Sequence, residues 1–245
     1  MSDTRQHRGA HPEDAEQFSA SHRPALEAAS ADLCWLLDRG YALRSSLALT
    51  GDRHGLTQRQ RLAVARCACS AAQRARRLAH RLEPSELAGR ELWIDGYNLL
   101  ITLEAALGGG VLLQGRDDGV RDMASLHGTY REVAETRAAA EFVGLATVRW
   151  GAAACHWLLD RPVGNSGRLK ALLSTLAAEH QWPWDVRLEF SPDKILRETP
   201  DPIATTDSVV LDHCGAWCNV AREILRDLHP PPALLVLDGS SLQKT

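Results

Sequence analysis

The 245-residue sequence has no run of about 18 apolar residues, which excludes a transmembrane helix. No basic stretch followed by an apolar core opens it, so no secretory signal is expected; the setting predicted is cytoplasmic, with no membrane partner. The six cysteines (Cys34, Cys67, Cys69, Cys155, Cys214 and Cys218) are then expected to be reduced thiols and not a disulfide framework. Cys67-x-Cys69 and Cys214-x3-Cys218 have the form of zinc half-sites, but both fall in segments that read as helices. Burial as small hydrophobes is the stronger expectation. There is no Gly-x-x-x-x-Gly-Lys-Ser/Thr loop, and Gly108-Gly109-Gly110 lacks the spacing of a dinucleotide fingerprint. No Gly-x-Ser-x-Gly elbow occurs, which argues against an α/β-hydrolase. Asp95-Gly96-Tyr97 lacks the second aspartate that aspartyl-phosphate phosphatases carry two residues after the first.

Lysine is scarce, with 3 against 25 arginines, and the net charge is only −3. That total hides an asymmetry. Residues 40–82 hold nine arginines and one acid, Asp52, a net of +8. Residues 1–39 carry −3 and residues 83–245 carry −8. A basic segment joined to an acidic one suggests a polyanion partner for one part, although a solvated helix face accounts equally well for the charge alone.

Residues 1–20 are polar and aperiodic and read as a disordered tail. From 21 to 84 the pattern is helical. Leu26, Leu33, Leu36 and Leu37 share helical spacing before a stop at Gly40, and a second helix over 42–50 ends at Gly51. Thr57 is placed to cap a long arginine-rich helix over 59–81, which ends at Glu83-Pro84. Beyond Pro84, over 90–240, short apolar runs alternate with helical segments. The runs are 92–94, 154–159, 186–190, 202–206 and 233–237; the helical segments are 119–143, 165–180 and 208–227. Alternation of this kind predicts an α/β domain with a central, mostly parallel sheet covered on both faces, preceded by a small all-α domain.

Four of the five runs end in aspartate: Asp95, Asp160, Asp207 and Asp238. In an open parallel sheet the carboxyl ends of the strands form the ligand-binding edge. Carboxylates gathered there repel one another unless a cation neutralises them, and an all-oxygen donor set suits Mg²⁺ or Mn²⁺. Phosphodiester hydrolysis is the usual chemistry of such a centre. Aspartate after a strand is also an ordinary turn former and helix cap, and Asp238-Gly239 is the weakest of the four. Asp212, five residues past Asp207, either points back to the site or faces solvent.

On Trp93-Ile94-Asp95-Gly96-Tyr97-Asn98-Leu99-Leu100, Leu158-Leu159-Asp160-Arg161-Pro162 and Ala204-Thr205-Thr206-Asp207-Ser208, the sequence resembles the PIN-like nucleases, especially their NYN branch. The resemblance covers about 92–240 and implies a three-layer α/β sandwich whose clustered acids hold Mg²⁺ or Mn²⁺ for cleavage of RNA. Position by position, Asp95 matches the acid of the first strand and Asn98 the polar residue beside it. Asp160 matches the acid after the middle strand, and Asp207 the acid of the late Thr/Ser-Asp motif, with Ser208 its neighbour. The segment 108–131 departs from the pattern and leaves the fourth acid open among Asp118, Asp122, Asp212 and Asp238; Asp118, Arg121, Asp122 and His127 within it either supply an acid or bind phosphate, or are helix caps and surface pairs, the slightly stronger expectation. The whole chain, through Trp35-Leu36-Leu37-Asp38-Arg39-Gly40-Tyr41 and Gly51-Asp52-Arg53, also resembles a prokaryotic two-part family of uncharacterised proteins, a likeness that implies no activity.

The expected roles follow. Asp95, Asp160 and Asp207 are the catalytic acids and, with Asp212, the metal ligands. Arg161 or Arg121 clamps the scissile phosphate, and Asn98 and Ser208 contact the substrate. Arg168 and Lys170 extend the track at a helix start, and the 59–81 helix lies along the RNA backbone. Trp93, Trp150, Trp157, Trp182 and Trp184 are candidates for base stacking, with core packing the stronger expectation for most. The rival expectations are a non-catalytic RNA-binding adaptor of the same fold and a phosphatase of small nucleotides.

Overall fold

The computed structural model of the chain describes residues 7–124 and 128–239, so His127 lies outside the described residues. The N-terminal part is helical: α1 (Asp14–Gln17), α2 (Arg23–Leu37), α3 (Leu43–Arg53), α4 (Gln58–Cys67) and α5 (Ala71–Ala79). There follow β1 (Arg81–Leu82), β2 (Glu91–Asp95), α6 (Gly96–Leu107), β3 (Leu112–Gly115), β4 (Val120–Asp122) and α7 (Thr136–Arg149). Next come β5 (Ala154–Asp160), α8 (Ser166–His180), β6 (Trp184–Glu189), α9 (Pro192–Glu198) and β7 (Ile203–Ala204). Finally come α10 (Ser208–Leu211), β8 (Trp217–Cys218), α11 (Val220–Asp227) and β9 (Leu234–Leu237).

Six strands form one sheet in the order β1-β8-β7-β2-β5-β6, every pairing parallel. Strands covered on both faces are apolar on both, which is why they read as unbroken apolar runs. Leu92, Ile94, Trp157 and Leu159 pack on one face with α6, α7, α8 and α11. Leu158 and Ile203 pack on the other with Leu196 of α9 and Val210 of α10. The fold is therefore a three-layer α/β sandwich with a parallel centre, preceded by a helical region.

A second sheet, β4-β3-β9, has a β3–β4 hairpin and β9 parallel to β3. Leu26 and Leu33 of α2 and Ala63, Val64 and Cys67 of α4 close their core against Leu113, Met123 and Leu237 of this sheet and its flank. The helical region thus shares its core with the rest of the chain.

Several expectations are corrected by tertiary contacts. Residues 7–20, read as a tail, contain α1, whose Asp14 is buried and held by the Arg59 guanidinium. The arginine-rich helix of 59–81 is two helices: Ala68 is extended, and Ser70 starts α5 with a capping box to Gln73. The Thr57 cap forms as expected, with Gln60 completing its box. The segment 119–143 holds β4 and then α7, and 208–227 is interrupted by β8, where Trp217 pairs with Arg81 of β1. β1, β3, β4 and β8, of two to four residues each, have too little periodicity to stand out in the sequence. All six cysteines are free and buried, and burial pushes the Cys67, Cys69 and Cys218 thiols up to about 12. Among the described residues no helix is long and apolar enough to cross a membrane.

Candidate active site

The chain runs from β2 to β5 and β6 on one side, then returns to β7 and β8 on the other side of β2. The order of the sheet therefore reverses at β2, and open α/β sheets bind ligands in the crevice beyond the carboxyl ends at such a point. There, in the spatial order of four neighbouring strands, stand Asp207 after β7, Asp95 ending β2, Asp160 ending β5 and Asp193 beyond β6. All four line one hollow of about 330 Å³, together with Tyr97, Asn98, Arg66 and Ser208.

Asp95 caps α6. It accepts the Asn98 N–H at 3.4 Å and the Thr205 hydroxyl at 2.8 Å. Burial, reinforced by the charges of Asp193 and Asp207, pushes its carboxyl up to about 7 against those two hydrogen bonds. Gly96 follows because α6 turns directly over β5: a Cβ there would sit 2.9 Å from the Leu158 carbonyl oxygen. Gly96→Ala is expected to destabilise the chain by about 1–3 kcal/mol through overpacking. A denaturant midpoint equal to that of the native chain would rule out this crowding.

Asp207 caps α10, its Oδ1 accepting the Val209 and Val210 N–H groups at 2.8 and 3.1 Å. Asn98 accepts from the Thr206 N–H at 2.8 Å and from its hydroxyl at 3.2 Å, which ties α6 to the β7–α10 loop. Burial, then the charge of Asp193, raises the Asp160 carboxyl. Burial, then Asp207, raises that of Asp193. Asp193 was not foreseen. It follows Pro192 in the first turn of α9, and the pattern that marks it is a proline-started helix carrying an acid just after a strand.

The four acids do not lie at one height. Asp95 pairs in register with Leu158, two residues short of Asp160. Among the described residues no three acidic, imidazole or thiol groups close on one point as metal ligands. The donor chemistry nevertheless fits a hard cation. Asp95, Asp160, Asp193 and Asp207 share a hollow whose guanidiniums, Arg66 and Arg121, are both tied to other partners. Mg²⁺ characteristically keeps several waters and takes only one or two carboxylates directly.

Other candidates have different roles. Arg121 is buried and already bidentate to Asp117, at 2.8 and 2.7 Å, and its Nε donates to the Thr206 carbonyl at 2.9 Å. It holds the Asp207 loop from behind and has no free fork for phosphate. Asp212 is bound by Arg77 at 2.7 Å and by Gln73 at 2.7 Å, which removes it as a metal ligand. Asp238 follows β9 in the second sheet and so belongs to another edge. Asp118 occupies a positive-φ turn and pairs with Arg81 at 3.2 Å. Asp122 lines the hollow but accepts from Thr102 at 2.8 Å and from the Ala124 N–H at 2.7 Å.

The arginines of α4 and α5 bind the chain itself. Arg66 donates to the Asp122 and Ala124 carbonyls, Arg74 to that of Arg116, and Arg76 to those of Asp212 and Cys214. These side chains, with Arg77 on Asp117 and Asp212, fasten the helical region to the α/β part, whereas Arg59 and Arg61 pair within the helical region, with Asp14 and Asp52. Arg168 and Lys170 are exposed on α8, outside the lining of the hollow. None of Trp93, Trp150, Trp157, Trp182 and Trp184 lines it either; the Trp184 ring packs at a tilt against those of Trp157 and Trp182.

Comparison with known proteins supplies no activity. A family model described as a domain of unknown function, DUF5616, matches residues 84–223, and one described as a protein of unknown function, DUF434, matches residues 25–80. The two matches meet near Pro84, where the helical region gives way to the sheet. The chain is 27% identical over 107 residues to a protein of Methanocaldococcus jannaschii described as uncharacterized protein MJ0935, which is 44% of this chain and 51% of that protein. The chain thus spans about half the length of the curated relative it matches. No solved structure matches it.

Proposed function

We propose that this chain, which belongs to the DUF5616 family, is a metal-dependent ribonuclease of the kind its motifs resemble, the PIN-like nucleases. One observation carries the reading: four carboxylates from the ends of four adjacent parallel strands share a hollow at the switch point of the sheet. Uncompensated acids of this kind repel a phosphate unless a cation stands between them. Mg²⁺ or Mn²⁺ held by Asp95, Asp160, Asp193 and Asp207, directly or through its waters, would lower the pKa of a bound water and offset charge on the phosphate.

The chain's own groups have distinct tasks. The Thr205 hydroxyl and the Asn98 N–H fix the orientation of Asp95. Asn98 and Arg121 hold the loop that presents Asp207 and Ser208. Ser208 lines the same hollow and offers its hydroxyl to the substrate. The buried free cysteines support a reducing, cytoplasmic setting.

The test uses labelled single-stranded RNA with Mn²⁺ or with EDTA, wild type beside Asp95→Asn. Cleavage is expected with the metal and not with EDTA. It should fall by more than about 100-fold in the variant, since losing even an outer partner of a metal ligand costs 10–100-fold. Absence of cleavage with Mn²⁺ would overturn the reading. A second reading, a non-cleaving RNA-binding adaptor, is favoured by the absence of three converging ligands among the described residues. It predicts RNA binding that is indifferent to Mn²⁺.

A further inference from the structure

Beside the carboxylate hollow the same sheet edge carries a pair of residues that neither the core nor the acid cluster uses. β5 and β6 run in register to Asp160 and Glu189, and the next residue of each is Arg161 and Phe190. The Arg161 N–H donates to the Glu189 carbonyl at 2.8 Å, so the pairing continues past the last ladder position. Phe190 is 70% exposed, the most exposed of the large hydrophobic residues described. The Arg161 guanidinium lies over its ring, 4.8 Å from the centroid.

Single exposed apolar residues are ordinary on protein surfaces. This one differs in its company. Arg66 and Arg121, the guanidiniums of the hollow, are bound to carbonyls and to Asp117. Arg161 has no carboxylate within ion-pair distance among the described residues, and its charge rests against an aromatic face. Asp160, the residue before it, lines the hollow. Arg161, without a carboxylate partner among the described residues, thus follows Asp160 directly, and the exposed ring it lies over stands at the end of the neighbouring strand, three residues before Asp193.

We propose that Phe190 and Arg161 form a stacking subsite that selects single-stranded nucleic acid. The ring takes an unpaired base adjoining the phosphate in the hollow, and Arg161 contacts the backbone beside it. A base in a duplex is stacked on its neighbours and cannot lie on a protruding ring, whereas an unpaired one can, whatever its identity. The subsite rests on the nuclease reading above for its substrate class, but not on cleavage.

The experiment measures binding of a fluorescent single-stranded oligonucleotide, as RNA and as DNA, and of the same sequence as a duplex. Full-length wild type, Phe190→Ala, Phe190→Trp and Arg161→Ala are compared in EDTA and with Ca²⁺. Wild type is expected to prefer the single strand. Phe190→Ala should weaken single-strand binding about tenfold, as loss of one stacked base does, and leave duplex binding unchanged. Phe190→Trp should retain the affinity, and Arg161→Ala should weaken single-strand binding and flatten its salt dependence. A preference for RNA over DNA places a 2′-hydroxyl contact within the subsite; equal binding restricts it to base and phosphate. Phe190→Ala binding single strands as tightly as wild type, or wild type binding none, overturns the subsite. Single-strand preference with no cleavage under Mn²⁺ removes the nuclease reading and leaves the subsite standing. Cleavage untouched by Phe190→Ala does the reverse.

Discussion

Asp117→Ala is expected to lower the unfolding free energy by about 3–5 kcal/mol, the cost of leaving buried charge unpaired. Asp117 is fully buried between two buried arginines, Arg121 at 2.8 and 2.7 Å and Arg77 at 2.7 Å. Burial pushes its carboxyl up, but the Arg121 and Arg77 guanidiniums outweigh this and hold it well below the usual carboxylate range. The sign follows from that depression. The stabilisation is fully present above the ordinary aspartate value, about 4, and is lost only as pH falls toward the lower native value. The deficit of the variant in urea unfolding should therefore be constant from about pH 8 to 5 and shrink only in stronger acid. Asp117→Asn, which keeps the shape and two acceptor lone pairs, should lose less. Because Arg121 also holds the Thr206 carbonyl, the variants should loosen the Asp207 loop, visible as faster amide exchange at Val209 and Val210. A variant as stable as wild type at pH 7 would show that the two arginines find other partners.

The second large effect is at Asp95, where activity and stability are expected to move in opposite directions. Its carboxyl is raised to about 7, so the folded state holds the proton more tightly than the unfolded chain does. The protonated acid contributes stability that is fully present below about pH 4 and is lost as pH rises through about 7. In EDTA at pH 8 the wild type buries an ionised carboxylate, and Asp95→Asn does not. The variant should then be more stable by on the order of 1–3 kcal/mol, with little difference at pH 5, where the native acid is largely neutral. Added Mn²⁺ should reverse the order, because a ligand at 100 times its Kd stabilises its binder by about 2.7 kcal/mol. Direct ligation by Asp95 would expel its proton, so Mn²⁺ affinity should then climb as pH rises toward and through about 7. Thermal unfolding of both proteins at pH 5 and 8, with and without Mn²⁺, checks all of this. A wild-type midpoint indifferent to Mn²⁺ would sink the metal site.

Much of the site was legible in the spacing of residues because its signals are local. Asp95, Asp160 and Asp207 each follow an apolar run, and each lies beside the hollow. Asn98 is there because it is three residues into the helix that Asp95 caps. Asp193 does not end an apolar run: it lies in the first turn of the proline-started helix that follows β6. Arg121, Asp212 and Asp238 look like site residues by type and position. Arg121 and Asp212 are bound by partners 4 and 135 positions away, and Asp238 ends a strand of a different sheet.

The alternation of apolar runs and helical segments, the boundary at Pro84, the Thr57 cap and three acids after strands were determined by the sequence alone, since each depends on residues within a few positions of one another. Only the tertiary structure decided which strands are neighbours, and with that which acids share the hollow. It also decided that Arg66, Arg74, Arg76 and Arg77, four of the nine arginines of residues 40–82, fasten the helical region to the α/β part. Strand order and the partners of the Arg76 and Arg77 guanidiniums depend on groups 40 to 138 residues apart being brought together, and no local spacing records that.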